Sequence, residues 1–346
     1  MRTPALPHAL PHPFLTLSAT GALLAAGCLL PAATATAAPA SATVGATATT
    51  AATAAPAATV EVTTAKELKA ALTAAAPGQT IHLADGTYTG NFKAYTPGTA
   101  DAPITLTGSS AAILSSSGGY GLYLDGASYW NVDGLTVTGG QKGIVTDTAD
   151  HVVIDSVTVH DLQMEGVHFR TSSTDDVIRN SRIYNTGLQR PGYGEGVYVG
   201  TANTLDDKSD RVQILDNVIG PNVGAENIDL KEGTTGGVVS GNTFDGSGLS
   251  MTNYDDSWVD VKGNDYTITG NHGSRTINDG YQTHTQQPGW GCGTVFRAND
   301  SDLTGSTGAN QLAIDVTNAS ADCPTTVYGS NTVTGGKGLT NIAVTP

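Results

Sequence analysis

The chain has 346 residues, a formal net charge of −15, abundant glycine (43 residues) and few aromatics (6%). That acidity excludes a nucleic-acid partner, because binding phosphate needs a basic surface that releases counterions, and its plainest use is solubility in a secreted protein. A polyanionic substrate would need local cations or a metal ion to approach.

Residues 1–37 have the pattern of an export signal: Arg2, an apolar run from Phe14 to Leu30, then the small residues Ala35-Thr36-Ala37. The run is shorter than the roughly 20 residues a membrane span needs, so no membrane anchor is expected and the mature protein is expected outside the cell. Cys28 follows Ala25-Ala26-Gly27 as a lipid-acceptor cysteine would, but the apolar run continues through Leu29 and Leu30, which favours a soluble product. An Ala/Thr/Pro-rich linker, residues 38–59, comes next.

Residues 60–346 are expected to form one domain. Val60-Glu61-Val62 opens it as a short strand. Thr64-Ala65-Lys66-Glu67 then fits a capping box, with Leu68 and Leu72 on one apolar stripe and Pro77-Gly78 stopping the helix. From Ile81 a repeat takes over. Gly121-Leu122-Tyr123-Leu124, Gly143-Ile144-Val145-Thr146, Gly166-Val167-His168-Phe169 and Gly196-Val197-Tyr198-Val199 share one pattern, continued by Asn227-Ile228-Asp229-Leu230, Trp258-Val259-Asp260-Val261 and Gly280-Tyr281-Gln282-Thr283. Copies recur at roughly 22 residues, or roughly 30 where a loop is inserted, which is the period of a coiling solenoid. The fold class is therefore all-β, a right-handed parallel β-helix, and the short amphipathic helix is expected to cover the end of its apolar core.

Side chains alternate along a strand, so Leu122, Ile144, Val167, Val197, Ile228 and Val259 form one inward column. Asn217, Asn242, Asn271 and Asn331 recur at turns, where Asn tolerates left-handed backbone and can pair with its equivalent one coil on. Cys292 and Cys323 are left after signal removal and most simply form one disulfide between neighbouring turns.

The same register places His168 with Arg170, Tyr198, Asp229 with Lys231, Asp260 with Lys262, and Gln282 with His284 on the outer face of one sheet. Glu165, Glu195, Glu226 and Asp279 precede those strands at the sheet edge. Equivalent positions of successive coils lie about 4.8 Å apart, so these carboxylates crowd one another unless a cation or a shared proton relieves them. Glu195, Glu226 and Asp229 are the candidate ligands of a hard, oxygen-seeking ion such as Ca²⁺. A ladder in which Lys231 and Lys262 simply neutralise Asp229 and Asp260 is the structural alternative. Insertions such as Gln189 to Gly194 and Asp245 to Asp256 would border this face and choose the substrate.

The stretch Ala225-Glu226-Asn227-Ile228-Asp229-Leu230-Lys231, with Gly241-Asn242-Thr243-Phe244 and Val261-Lys262-Gly263 after it, resembles the polysaccharide lyase family that holds chondroitinase B and β-helical alginate lyases. So does the opening helix with Ile81-His82-Leu83-Ala84-Asp85-Gly86-Thr87-Tyr88. The resemblance implies a Ca²⁺-binding Glu at Glu226, a general base at Lys231, and an acid on the next coil, where the family's Arg is here Lys262. Gly224 stands where a second acidic calcium ligand would be expected. The implied reaction is β-elimination from a uronic-acid polysaccharide, in which a bound cation offsets the carboxylate next to the reacting C5–H bond. Lys231 is expected to act as base if Lys262 lowers its pKa by repulsion, with Asp229 pulling the other way. His168, Arg170, Tyr198, Asp260 and His284 are the expected substrate contacts, and the protein is expected to be a monomer. Two alternatives stay open: a glycoside hydrolase using Asp229 and Asp260 as a carboxylate pair, and a non-catalytic glycan-binding or surface protein.

Overall fold

The structure, a computed structural model, describes residues 58–346. The expected export signal, Cys28 and nearly all of the linker lie outside the described residues. The described chain winds as a right-handed coil whose turns each contribute short strands to three parallel sheets, of 12, 10 and 10 strands.

Strands pair with their equivalents one coil earlier and later. Ile144 lies between Leu122 and Val167, and Val197, Ile228 and Val259 continue the column as expected. All six are fully buried in a single apolar core. Close coil spacing explains the glycine that opens most copies of the repeat. A Cβ at Gly143 would stand 2.4 Å from the carbonyl oxygen of Gly166, and one at Gly166 2.5 Å from that of Gly196. Any side chain there would push neighbouring coils apart.

The expected asparagine stack is present and has an additional rung. Asn217, Asn242, Asn271, Asn299 and Asn331 are buried, and each Nδ2 of the first four donates to the Oδ1 of the next at 2.9 Å. Each Nδ2 also donates to a main-chain carbonyl, such as that of Ile214 for Asn242 at 2.8 Å. Buried polar groups are tolerated only when paired in this way.

The helix spans Ala65–Thr73, with Thr64 as its cap and Glu67 closing the capping box. Its Leu68, Ala71 and Leu72 are buried against the first coils. Cys292 and Cys323 are disulfide-bonded and join loops of neighbouring coils. No helix among the described residues is long and apolar enough to cross a membrane.

Candidate functional site

The ten-stranded sheet that includes Val167–Arg170, Val197–Val199, Ile228–Leu230, Val259–Val261 and Tyr281–Thr283 forms the floor of the site. The central residues of these strands, His168, Tyr198, Asp229, Asp260 and Gln282, lie in register and point away from the core. Loops rise on both edges and bury this face, so that Asp229 is only 1% exposed although it belongs to the outer side of the sheet. Between the loops lies a cavity of about 630 Å³. Its floor presents Glu195, Glu226, Asp229, Lys231, Asp260, Lys262 and His284. Asn253 and Tyr254, which precede their strand, stand at one edge; Ala202, Asn203 and Gln286, which follow theirs, stand at the other.

Asp229 is the hub. One carboxylate oxygen pairs with Lys231, and the other accepts from Lys262 Nζ at 3.0 Å. Lys262 also pairs with Asp260. Burial favours the neutral form of Asp229, but Lys231 and then Lys262 outweigh it and hold its pKa below the usual carboxylate range. The expected depression of Lys231 by Lys262 is overturned. Burial pulls the Lys231 pKa down, yet the charges of Asp229 and Asp260 prevail and raise it above that of a free lysine. Lys262 is raised likewise, against its burial, by Asp229 and Asp260.

Glu195 and Glu226 lack such partners. Burial first, then the charge of Asp229, pushes Glu195 up to about 7 and Glu226 well above the usual range. Glu195 accepts only the main-chain N–H of Gly194, at 3.2 Å. Ligand oxygens of Glu195, Glu226 and Asp229 lie within 4.8 Å of one another. Three hard oxygen donors, two of them short of positive charge, can hold a divalent cation of the calcium type, with Asp229 sharing its oxygens between that ion and the lysines.

A family model described as a right handed beta helix region matches residues 113–288. Among solved structures, an alginate lyase from Paenibacillus sp. str. FPU-7 is 40% identical, with a TM-score of 0.77 over 83% of this chain and 99% of its own. The chain belongs to the right-handed β-helix family of that alginate lyase. The pectate lyase Pel9A (TM-score 0.58, 16% identity, 79% of this chain and 71% of that one) shares the fold. So does PfbA, a surface adhesin of Streptococcus pneumoniae (TM-score 0.54, 14% identity, 80% and 74%). No curated protein matches the chain by sequence.

Within this β-helix family member, the cavity gathers seven of the residues singled out from the sequence and leaves three outside its lining. His284 lines it, with Nε2 2.8 Å from Gln282 Oε1 and 3.5 Å from Asp260 Oδ1. His168 lies beyond it, on the amino-terminal side. Lys142 Nζ donates to His168 Nδ1 at 2.9 Å, and Nε2 donates to the Gly200 carbonyl at 2.9 Å. Burial and the Lys142 charge hold its pKa well below the ordinary value, so it is a neutral imidazole with both nitrogens engaged and no proton to offer a substrate. Arg170 is committed to Asp147 at 2.6 and 3.0 Å and to the Tyr120 hydroxyl at 3.2 Å. Tyr198 stands between His168 and Asp229, with Lys231 Nζ 5.0 Å from its ring centre. Glu232, Asn203, Asn253, Tyr254 and Gln286 also line the cavity and were not singled out as site residues. Asn253 and Tyr254 had a signal, their place in the insertion from Asp245 to Asp256, and so had Asn203, in the loop that breaks the repeat after Gly200.

Proposed function

We propose that this protein is a polysaccharide lyase that cleaves a 4-linked uronic-acid polymer by β-elimination, and that alginate is its first candidate substrate. The observation that carries the proposal is the convergence of Lys231 and Lys262 with Glu195, Glu226 and Asp229 on one cavity floor. The 40% identity to an alginate lyase supports the polymer chosen.

A uronosyl carboxylate entering this cavity meets the Lys262 ammonium group, which offsets its charge while the C5 proton leaves. Lys231 in its neutral form takes that proton. The electron pair forms the C4–C5 double bond, the bond from C4 to the glycosidic oxygen breaks, and Lys262, held protonated by Asp229 and Asp260, gives its proton to the leaving oxygen. Glu195, Glu226 and Asp229 would hold a calcium ion, which when bound would offset the substrate carboxylate and weaken the hold of Asp229 on the Lys231 proton. The protein is proposed to act outside the cell, in keeping with its disulfide. Hydrolysis through Asp229 and Asp260 has less support, because Lys262 bridges the two carboxylates.

Incubation with alginate, polygalacturonate, dermatan and glucuronan is expected to yield products that absorb in the ultraviolet through their unsaturated ring, and a chelator is expected to slow their release. Lys231→Ala is expected to lose about 100-fold or more in rate. New reducing ends without ultraviolet absorbance would replace the lyase by a hydrolase.

A further inference from the structure

Tyr254 is the most exposed large hydrophobic side chain among the described residues, at 88%, and it stands on the rim of the cavity. Its loop is not loose. The fully buried Asp255 carboxylate accepts the main-chain N–H groups of Ser250, Thr252 and Asn253 at 2.7, 2.6 and 3.2 Å, and the Ser250 hydroxyl at 2.8 Å. Asn253 then donates to the Gly192 carbonyl at 3.0 Å, tying this loop to the neighbouring insertion. Tyr254 itself has a φ of 65°, the left-handed region that a bulky residue adopts only when its surroundings impose it. The loop therefore spends its hydrogen bonds on projecting an aromatic ring into solvent.

Across the floor, on the side that follows the strands, stand Asn203 and Gln286, whose side chains carry amides. A pyranose has apolar C–H faces and a polar rim, so an aromatic wall on one side and amides on the other match it, while the charged floor meets its carboxylate.

We propose that Tyr254 is a sugar-stacking residue that packs on the pyranose face of the polymer next to the reactive centre, and that Asp255 is the positioning residue that holds it there. The inference rests on the glycan-cleaving role proposed above and adds a specificity-determining contact to it.

Tyr254→Ala is expected to raise KM for the polymer about tenfold with kcat within about twofold, whereas Tyr254→Phe and Tyr254→Trp keep the wild-type KM. Asp255→Asn is expected to raise KM in the same direction, with Tyr254→Ala adding little in the double variant. The melting temperature of Tyr254→Ala is expected to match the wild type, since the ring buries almost nothing. An unchanged KM in Tyr254→Ala overturns the inference, and so does an equal loss in the Phe and Trp variants. Retardation in gels containing alginate separates the two proposals. A wild type that is retarded but inactive sinks the lyase proposal alone, and Tyr254→Ala must then lose the retardation. A wild type that is neither active nor retarded on any of the four polymers overturns both.

Discussion

Asp229 is buried and both its oxygens serve a lysine, so its charge raises the pKa of Lys231 and Lys262 and adds to the effect of burial on Glu195 and Glu226. Asp229→Asn would leave two buried ammonium groups facing each other over a neutral amide. Breaking such a network from one side costs about 3–5 kcal/mol, which urea denaturation would detect as a lower midpoint at unchanged slope. Glu195 makes a prediction of opposite kind. Its pKa rises from 4.5 to about 7 on folding, so between those values the folded chain keeps a proton that the unfolded chain has released. Stability must then fall as pH rises through that window in the presence of chelator. Glu195→Gln is expected to flatten this decline in a calorimetric pH series, and calcium is expected to restore stability at the upper end; a metal-free midpoint that climbs between about pH 5 and pH 7 in the wild type but not in the variant would contradict it. At this scale the sequence was a good guide to position and a poor one to state. Coil-to-coil equivalence was enough to set Glu195 beside Glu226 at the sheet edge, and alternation to turn Asp229 outward next to them, but the sign of the Lys231 shift depends on which oxygen each lysine reaches, and no periodicity carries that.

Strands, turns and inserted loops differ in how openly they announce themselves. Inward columns and the asparagine turns were legible because each coil must repeat the same contacts as the last. Asn299 escaped notice although it is a full rung of the stack, its turn lying in Arg297-Ala298-Asn299-Asp300 rather than beside the glycine that marks Asn242 and Asn271. The insertions obey no repeat, and they are what encloses the floor. His168 and Arg170 illustrate the consequence: their register was right, but Lys142, Asp147 and the Gly200 carbonyl consume their hydrogen bonds before any substrate arrives. The stack itself can be tested. Asn242→Ala removes the acceptor used by both the main-chain and the side-chain N–H of Asn217, and takes from the Ile214 carbonyl its side-chain donor. Orphaning these buried groups is expected to cost about 2–4 kcal/mol, read from the denaturation midpoint.

The molecule as a whole is a stack in which each turn is stabilised by the turns beside it, so its ends need separate treatment. At the amino-terminal end the helix Ala65–Thr73 lays Leu68 and Leu72 over the first coils. Replacing both by Asp should uncover the end of the core and convert a single elution peak into larger species on size-exclusion chromatography; an unchanged profile would mean that the helix is not what keeps copies apart. Along the coil, the asparagine stack gives the molecule a direction. From Asn217 to Asn331 each side-chain amide but the last gives to the next, so the dipoles run head to tail and each polarises its neighbour. Such a row works like a zipper with two unlike ends. Losing the rung at Asn331 costs Asn299 one acceptor and leaves the other rungs intact, whereas losing Asn271 splits the row in two. Pulled from its carboxyl end, the coil is expected to yield one turn at a time.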